Sequence, residues 1–157
     1  MSKLRIYTDG SHLKHTTGRL GIGGVLVDEN DKELQRFSTE ISLEYLKVAY
    51  DTSDVSNPTC EMLAVLWALL EFKKQIKPQD TVTVKADYIG VREWNTGKWK
   101  ITKPYIQRIK DDISQEINKQ NLKGRINFEW VKGHQTDNSS DTKWNNVVDK
   151  LSKGEKV

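Results

Sequence analysis

Lys3 to Ser11 reads KLRIYTDGS, and the rest of the chain can be read outward from it. Polar and apolar side chains alternate from Lys3 to Thr8, the two-residue period of a half-buried strand. The pair Asp9-Gly10 is where that strand is expected to end. Gly21 to Asp28 (GIGGVLVD) reads as a second strand, Glu29-Asn30-Asp31 as a turn, and Lys32 to about Ile41 as a third, which makes an antiparallel meander. Asn57-Pro58 looks like a helix cap followed by proline at the first helical position, where its missing N–H costs nothing. Met62, Val65, Leu66, Leu69 and Phe72 then mark the buried face of a helix running to about Gln75. Lys77-Pro78-Gln79-Asp80 breaks it, and the β-branched run Thr81 to Ala86 forms a fourth strand that delivers Asp87 at its end. Helical stretches follow near Tyr88 to Trp94 and from about Pro104 to Lys119. Arg125 to Lys132 (RINFEWVK) reads as a fifth strand and about Asp141 to Ser152 as a last helix. This order predicts an α/β protein with a mixed five-stranded sheet flanked by helices. Residues 42–56 show no clear period.

The bulk properties narrow the function classes. A chain of 157 residues suits one domain over 1–157 with a real core. It carries 25 Lys plus Arg against 22 Asp plus Glu, a net +3. The excess is local: Lys85 to Lys110 holds seven basic residues and two acidic ones, a segment suited to steering a polyanion. Cys60 is the only cysteine, so no internal disulfide can form. No apolar run approaches a membrane span and no signal-peptide core opens the chain, so a cytoplasmic protein without membrane contact is expected. There is no His/Cys cluster for zinc and no GxxxxGK[ST] loop for nucleotide phosphates, and GIGG reads as hairpin glycines.

Four acidic residues stand in four separate settings: Asp9 in YTDGS, Glu61 in NPTCEMLAVLWAL, Asp87 after TVTVKA, and Asp149 in NNVVDKLS. Asp9 and Asp87 sit where strands end, at the rim of an α/β sheet where ligands gather. Glu61 lies near the positive end of its helix, and Asp149 follows Asn145 by four residues, on the same helix side. Carboxylates sharing a site repel, so such a cluster implies cations. Oxygen-only donors favour Mg²⁺ or Mn²⁺.

Together, these pieces resemble the type 1 ribonuclease H family over nearly the whole chain. The resemblance rests on YTDGS (Tyr7 to Ser11), Asn57 four residues before Glu61, the strand ending in Asp87, WVKGH (Trp130 to His134), and a last helix with Asn145, Asp149 and Leu151. It implies a ribonuclease H-like sheet with strands one to three antiparallel and strands four and five parallel to the first. It also implies hydrolysis of the RNA strand of RNA–DNA hybrids by two Mg²⁺ ions, with Mn²⁺ able to substitute, leaving 5′-phosphate and 3′-hydroxyl ends. By that resemblance Asp9 bridges both ions, Asp149 holds the ion that activates water, and Glu61 and Asp87 hold the ion at the leaving oxygen. His134 assists proton transfer or product departure, while His12 and His15 read as surface residues. Asn57, Glu61 and the backbone at Gly10 and Ser11 are the matched candidates for reading the 2′-hydroxyl that tells RNA from DNA. Ser56 is matched to a phosphate contact on the DNA strand.

The chain departs from the family in two places. Tyr88 follows Asp87 where the family commonly has Ser. Only about a dozen residues separate Asp87 from Trp99, too few for the long basic handle that grips the hybrid in some members, and Trp94, Lys98, Trp99 and Lys100 are candidates to replace it. With no separate hybrid-binding domain, a monomer of modest substrate affinity is expected. DNA resolvases and exonucleases of ribonuclease H-like fold are rival readings. So is a non-catalytic hybrid-binding module, which the retention of all four carboxylates argues against. A cellular enzyme, a phage protein and the nuclease part of a reverse transcriptase all fit the sequence.

Overall fold

The computed structural model describes residues 1–13 and 18–157, so His15 lies outside the described residues. Strand β1 (Lys3–His12) runs through the middle of a five-stranded sheet. It pairs antiparallel with β2 (Arg19–Val27), which pairs antiparallel with β3 (Glu33–Ser42). On its other edge β1 pairs parallel with β4 (Thr81–Ala86), and β4 pairs parallel with β5 (Ile126–Trp130). The sheet order is therefore β3-β2-β1-β4-β5, the mixed sheet expected from the sequence.

The two faces of the sheet are covered differently. Leu4, Ile6, Leu20, Ile22 and Leu26 pack under helix α2 (Asn57–Phe72), with α4 (Pro104–Lys119) behind it adding Ile109 and Ile113. Tyr7, Val25 and Val27 face the other way and meet Trp144, Val148 and Leu151 of the last helix, α5 (Ser140–Ser152). The strand alternation read in the sequence is the alternation between these helical layers. A short helix, α3 (Ile89–Asn95), follows β4.

Four details differ from expectation. Helix α2 takes Ser56 rather than Asn57 as its cap, so Asn57 is its first residue and Pro58 its second. Strand β1 does not stop at Asp9. Its parallel ladder with β4 ends at Thr8↔Ala86, but its antiparallel ladder with β2 continues to His12↔Leu20. Helix α2 ends at Phe72 rather than Gln75, because Gln75 N–H turns back to the Phe72 carbonyl. Residues 42–56 contain a helix, α1 (Leu43–Tyr50), capped by Ser42, whose hydroxyl accepts from Tyr45 N–H at 3.1 Å, and ended by Asp51 at a left-handed φ of 52°. Only Leu46 and Tyr50 of that helix are buried, while Val48 is 85% exposed. A one-turn apolar contact diluted by exposed apolar residues leaves no readable period.

Gly10 sets how closely α2 approaches the sheet. A Cβ at Gly10 would lie 2.5 Å from the Cys60 carbonyl carbon, directly beside Glu61. Gly10→Ala is therefore expected to cost about 1–3 kcal/mol through overpacking. Urea unfolding monitored by circular dichroism checks this, and an unchanged midpoint would show that the backbones have room to part.

Candidate active site

The sheet register builds the site. Thr8 and Ala86 are the last partners of the parallel ladder, so Asp9 and Asp87 leave neighbouring strands at the same level. Asp9 is only 4% exposed, and its Oδ1 accepts from the Gly10 N–H at 2.9 Å. Asp87 is held from behind by the WVKGH segment: Trp130 Nε1 donates to the Asp87 carbonyl at 2.9 Å. A Cβ at Gly133 would stand 2.9 Å from Asp87 Oδ2 and would push that carboxylate oxygen aside. Glu61 enters from α2, also 4% exposed, and its buried Oε1 has no hydrogen-bond partner among the described residues.

One ligand oxygen from each of Asp9, Glu61 and Asp87 lies within 4.8 Å of the others. Burial, then the charge of Asp87, raises the Asp9 carboxyl well above its ordinary range. Burial, then the charge of Asp9, does the same for Glu61. A buried carboxylate oxygen without a donor beside two further carboxylates is costly unless protons or a cation neutralise it. The donor set is all oxygen, which suits a hard divalent ion such as Mg²⁺. These residues fit such an ion.

Asp149 is placed differently from the other three. It lines the same cavity and is near enough for its charge to raise Asp9, but its Oδ2 accepts from Lys153 Nζ at 3.1 Å, one helical turn on. The expected meeting of four carboxylates is thus a tight trio with Asp149 lining the same cavity, paired to an ammonium.

The cavity has a volume of about 710 Å³. Gly10, Ser11, Ser56, Asn57 and His134 line it with the carboxylates, and His134 holds a left-handed φ of 55° in the loop after β5. Tyr88, His12 and Lys153 also line it, although sequence reasoning gave them no part in it. The four-residue spacing of Lys153 from Asp149 was the available signal for that residue. His12 is exposed, as expected, but stands at this rim.

Lys98, Trp99 and Lys100 lie outside the lining. Trp99 packs edge-on against Trp94 at 6.2 Å, and Trp94 against Tyr88 at 5.7 Å, so an aromatic row leads from the cavity to Trp99. Lys100 lines a second cavity of about 180 Å³ that shares the Tyr88 wall and includes Trp94, Lys103 and Tyr105. The lining of the acidic cavity takes nothing from residues 43–55.

The family profile described as RNase H matches residues 1–156. No match appears among curated protein sequences. Among solved structures, LC11-RNase H1 in complex with an RNA/DNA hybrid, a protein isolated from compost by a metagenomic approach, superposes with a TM-score of 0.74 at 19% identity, over 98% of this chain and 96% of that one. The N-terminal RNase H domain of Rv2228c from Mycobacterium tuberculosis gives 0.72 at 20% identity over 98% and 93%. The RNase H domain of prototype foamy virus gives 0.68 at 22% identity over 98% and 94%. At these identities the superpositions establish a shared fold.

The raised carboxyls fix the sign of a pH effect. Their contribution to stability is complete below the ordinary carboxylate values of about 4 and is lost as pH rises through the raised values in the folded chain. With chelator present, the thermal midpoint is expected to fall between about pH 6 and about pH 8.5, and added Mg²⁺ to raise it more at the higher pH. Scanning fluorimetry measures both. A midpoint indifferent to Mg²⁺ at the higher pH would remove the cation from the site.

Proposed function

The chain belongs to the ribonuclease H family, and we propose that it cleaves the RNA strand of RNA–DNA hybrids with two Mg²⁺ ions held by its rim carboxylates. The observation that carries this reading is the trio Asp9, Glu61 and Asp87, with its undonated Glu61 oxygen, at the floor of an open cavity. The hybrid bound to LC11-RNase H1, a relative of the same fold, adds support for the substrate class.

Asp9, central in the trio, would serve both ions. Glu61 and Asp87 would hold the ion on the leaving-group side, and Asp149, once released by Lys153, the ion on the water side. When bound, the ions supply a nucleophilic water at neutral pH and neutralise charge gathering on the scissile phosphate. The water's oxygen bonds to phosphorus as the bond from phosphorus to the 3′ oxygen breaks, giving a 5′-phosphate and a 3′-hydroxyl. His134, at the rim, moves a proton there or helps the product leave.

The surroundings read the substrate. Gly10, Ser11 and Asn57 line the cavity with the trio, and the Gly10 and Ser11 backbone and the Asn57 side chain would read a ribose 2′-hydroxyl. Ser56, whose N–H donates to Asp54 at 2.8 Å, lies beside Asn57 for a DNA-strand phosphate. Trp99, Lys98 and Lys100 would meet the flanking duplex at the end of the aromatic row by stacking and phosphate contact.

Asp9→Asn tests the reading. Cleavage of a labelled hybrid in Mg²⁺ is expected to fall by roughly 10³-fold or more, with hybrid binding retained in a gel-shift assay. Wild-type protein is expected to leave duplex DNA and duplex RNA intact. Unchanged cutting by the variant, or equal cutting of duplex DNA, would overturn it.

A further inference from the structure

Asp149 lies on a different element from the trio, and its distance from Asp9 depends on how the last turn of α5 sits on the sheet. That turn rests on a seat made by three strands. Asp9, Gly23 and Ser38 are lateral partners across β1, β2 and β3, and Ser11 and Gly21 are partners two residues along. A Cβ at Gly21 would lie 1.8 Å from the Ser152 carbonyl oxygen, and one at Gly23 2.6 Å from Leu151 Cβ. The helix end is thus in direct contact with the β2 backbone. On one side the Ser38 hydroxyl donates to the Leu151 carbonyl at 2.6 Å. On the other, Ser11 Oγ and Ser152 Oγ are 2.9 Å apart, and Ser152 Oγ donates to the Asp149 carbonyl at 2.7 Å.

The proton inventory fixes the direction of this relay. A hydroxyl has one hydrogen to give, and that of Ser152 goes to Asp149. Ser11 must then donate to Ser152. The result is a continuous tie from β1, two residues past Asp9, to the backbone of Asp149.

We propose that Ser152, through this Ser11–Ser152–Asp149 relay, is a positioning residue that sets where the Asp149 carboxylate stands relative to Asp9. The inference rests on the reading of Asp149 as a metal ligand. Ser152 is only 1% exposed and is absent from the cavity lining, so it acts through the Asp149 backbone rather than by touching substrate. The relay also gives Ser11 a second role: it lines the cavity while its side chain is engaged with α5. Partners behind a ligating carboxylate commonly control metal affinity by about 10- to 100-fold.

The test compares Ser152→Ala, Ser11→Ala and the double variant with wild type. It measures Mg²⁺ half-saturation of hybrid cleavage, KM for the hybrid, and a Mn²⁺ binding isotherm without substrate. Ser152→Ala is expected to raise the Mg²⁺ requirement roughly tenfold and to weaken the Mn²⁺ isotherm by a similar factor, with KM within about twofold. The double variant is expected to be no worse than Ser152→Ala, since both changes cut one tie. Ile113→Val, a mild cavity in the layer behind α2, controls for general loss of stability and is expected to leave metal binding alone. The proposal is overturned if Ser152→Ala binds Mn²⁺ like wild type, if only KM moves, or if Ile113→Val weakens metal binding as much. A wild-type chain that binds Mn²⁺ through the relay but does not cut hybrid would overturn the proposed function and leave the positioning role standing.

Discussion

Asp9, Glu61 and Asp87 repel one another at the rim of the sheet, and Asp9 and Glu61 are shut away from water. Removing an ionised carboxylate from solvent costs several kcal/mol even after relaxation. The fold therefore carries a local debt that a divalent cation would offset, and its most specific sequence features are those that keep the three groups close despite it. Gly10 lets α2 press Glu61 toward β1, Gly133 leaves the volume that Asp87 occupies, and Trp130 fixes the backbone of Asp87. Motifs that look like separate signatures are parts of one steric arrangement.

The α5 layer is anchored by a different chemistry. Near its start, Asp31 on the β2–β3 turn accepts from Trp144 Nε1 at 2.7 Å, from Arg5 at 3.0 Å and from Ser140 at 2.5 Å. Asp141 accepts from Tyr7 and from Lys85 at 3.0 Å. Several polar ties over a small apolar cluster hold the first turns of the helix, and the serine relay and the glycine seat hold its last. A helix pinned at both ends presents Asp149 in a defined place, whereas a helix held by hydrophobic contact alone would have more freedom to slide.

Much of this was legible in the sequence, for identifiable reasons. Strand alternation in Lys3–Thr8 and Thr81–Ala86 and the Asn57-Pro58 helix start are local properties, and local properties survive folding. Helix α1 was not legible, because its two buried residues are outweighed by exposed apolar ones such as Val48. GIGG was readable as hairpin glycines inside a strand pattern but not as a seat, since the reason for Gly21 and Gly23 lies more than a hundred residues away, in Leu151 and Ser152. The candidate site divides in the same way. The carboxylates announce themselves by motif, and the four-residue spacing of Lys153 from Asp149 is a local signal too, but the cavity wall at Tyr88 depends on tertiary geometry.

The contrast between Asp149 and the trio follows from the same electrostatics. Among the described residues Glu61 has no cationic side chain within hydrogen-bonding reach, and burial leaves protonation or a metal ion as its means of neutralisation. Asp149 is less buried and carries an ammonium on its own helix, so it reaches neutrality without a metal. Bringing it to a shared ion means exchanging a partly exposed ion pair, worth at most about 1 kcal/mol, for a ligand bond to a divalent cation. That exchange is easy on the Asp149 side and forced on the trio side. The trio is therefore the part of the site that a cation would relieve most, and on the proposed reading Asp149 would engage or release one as Lys153 moves.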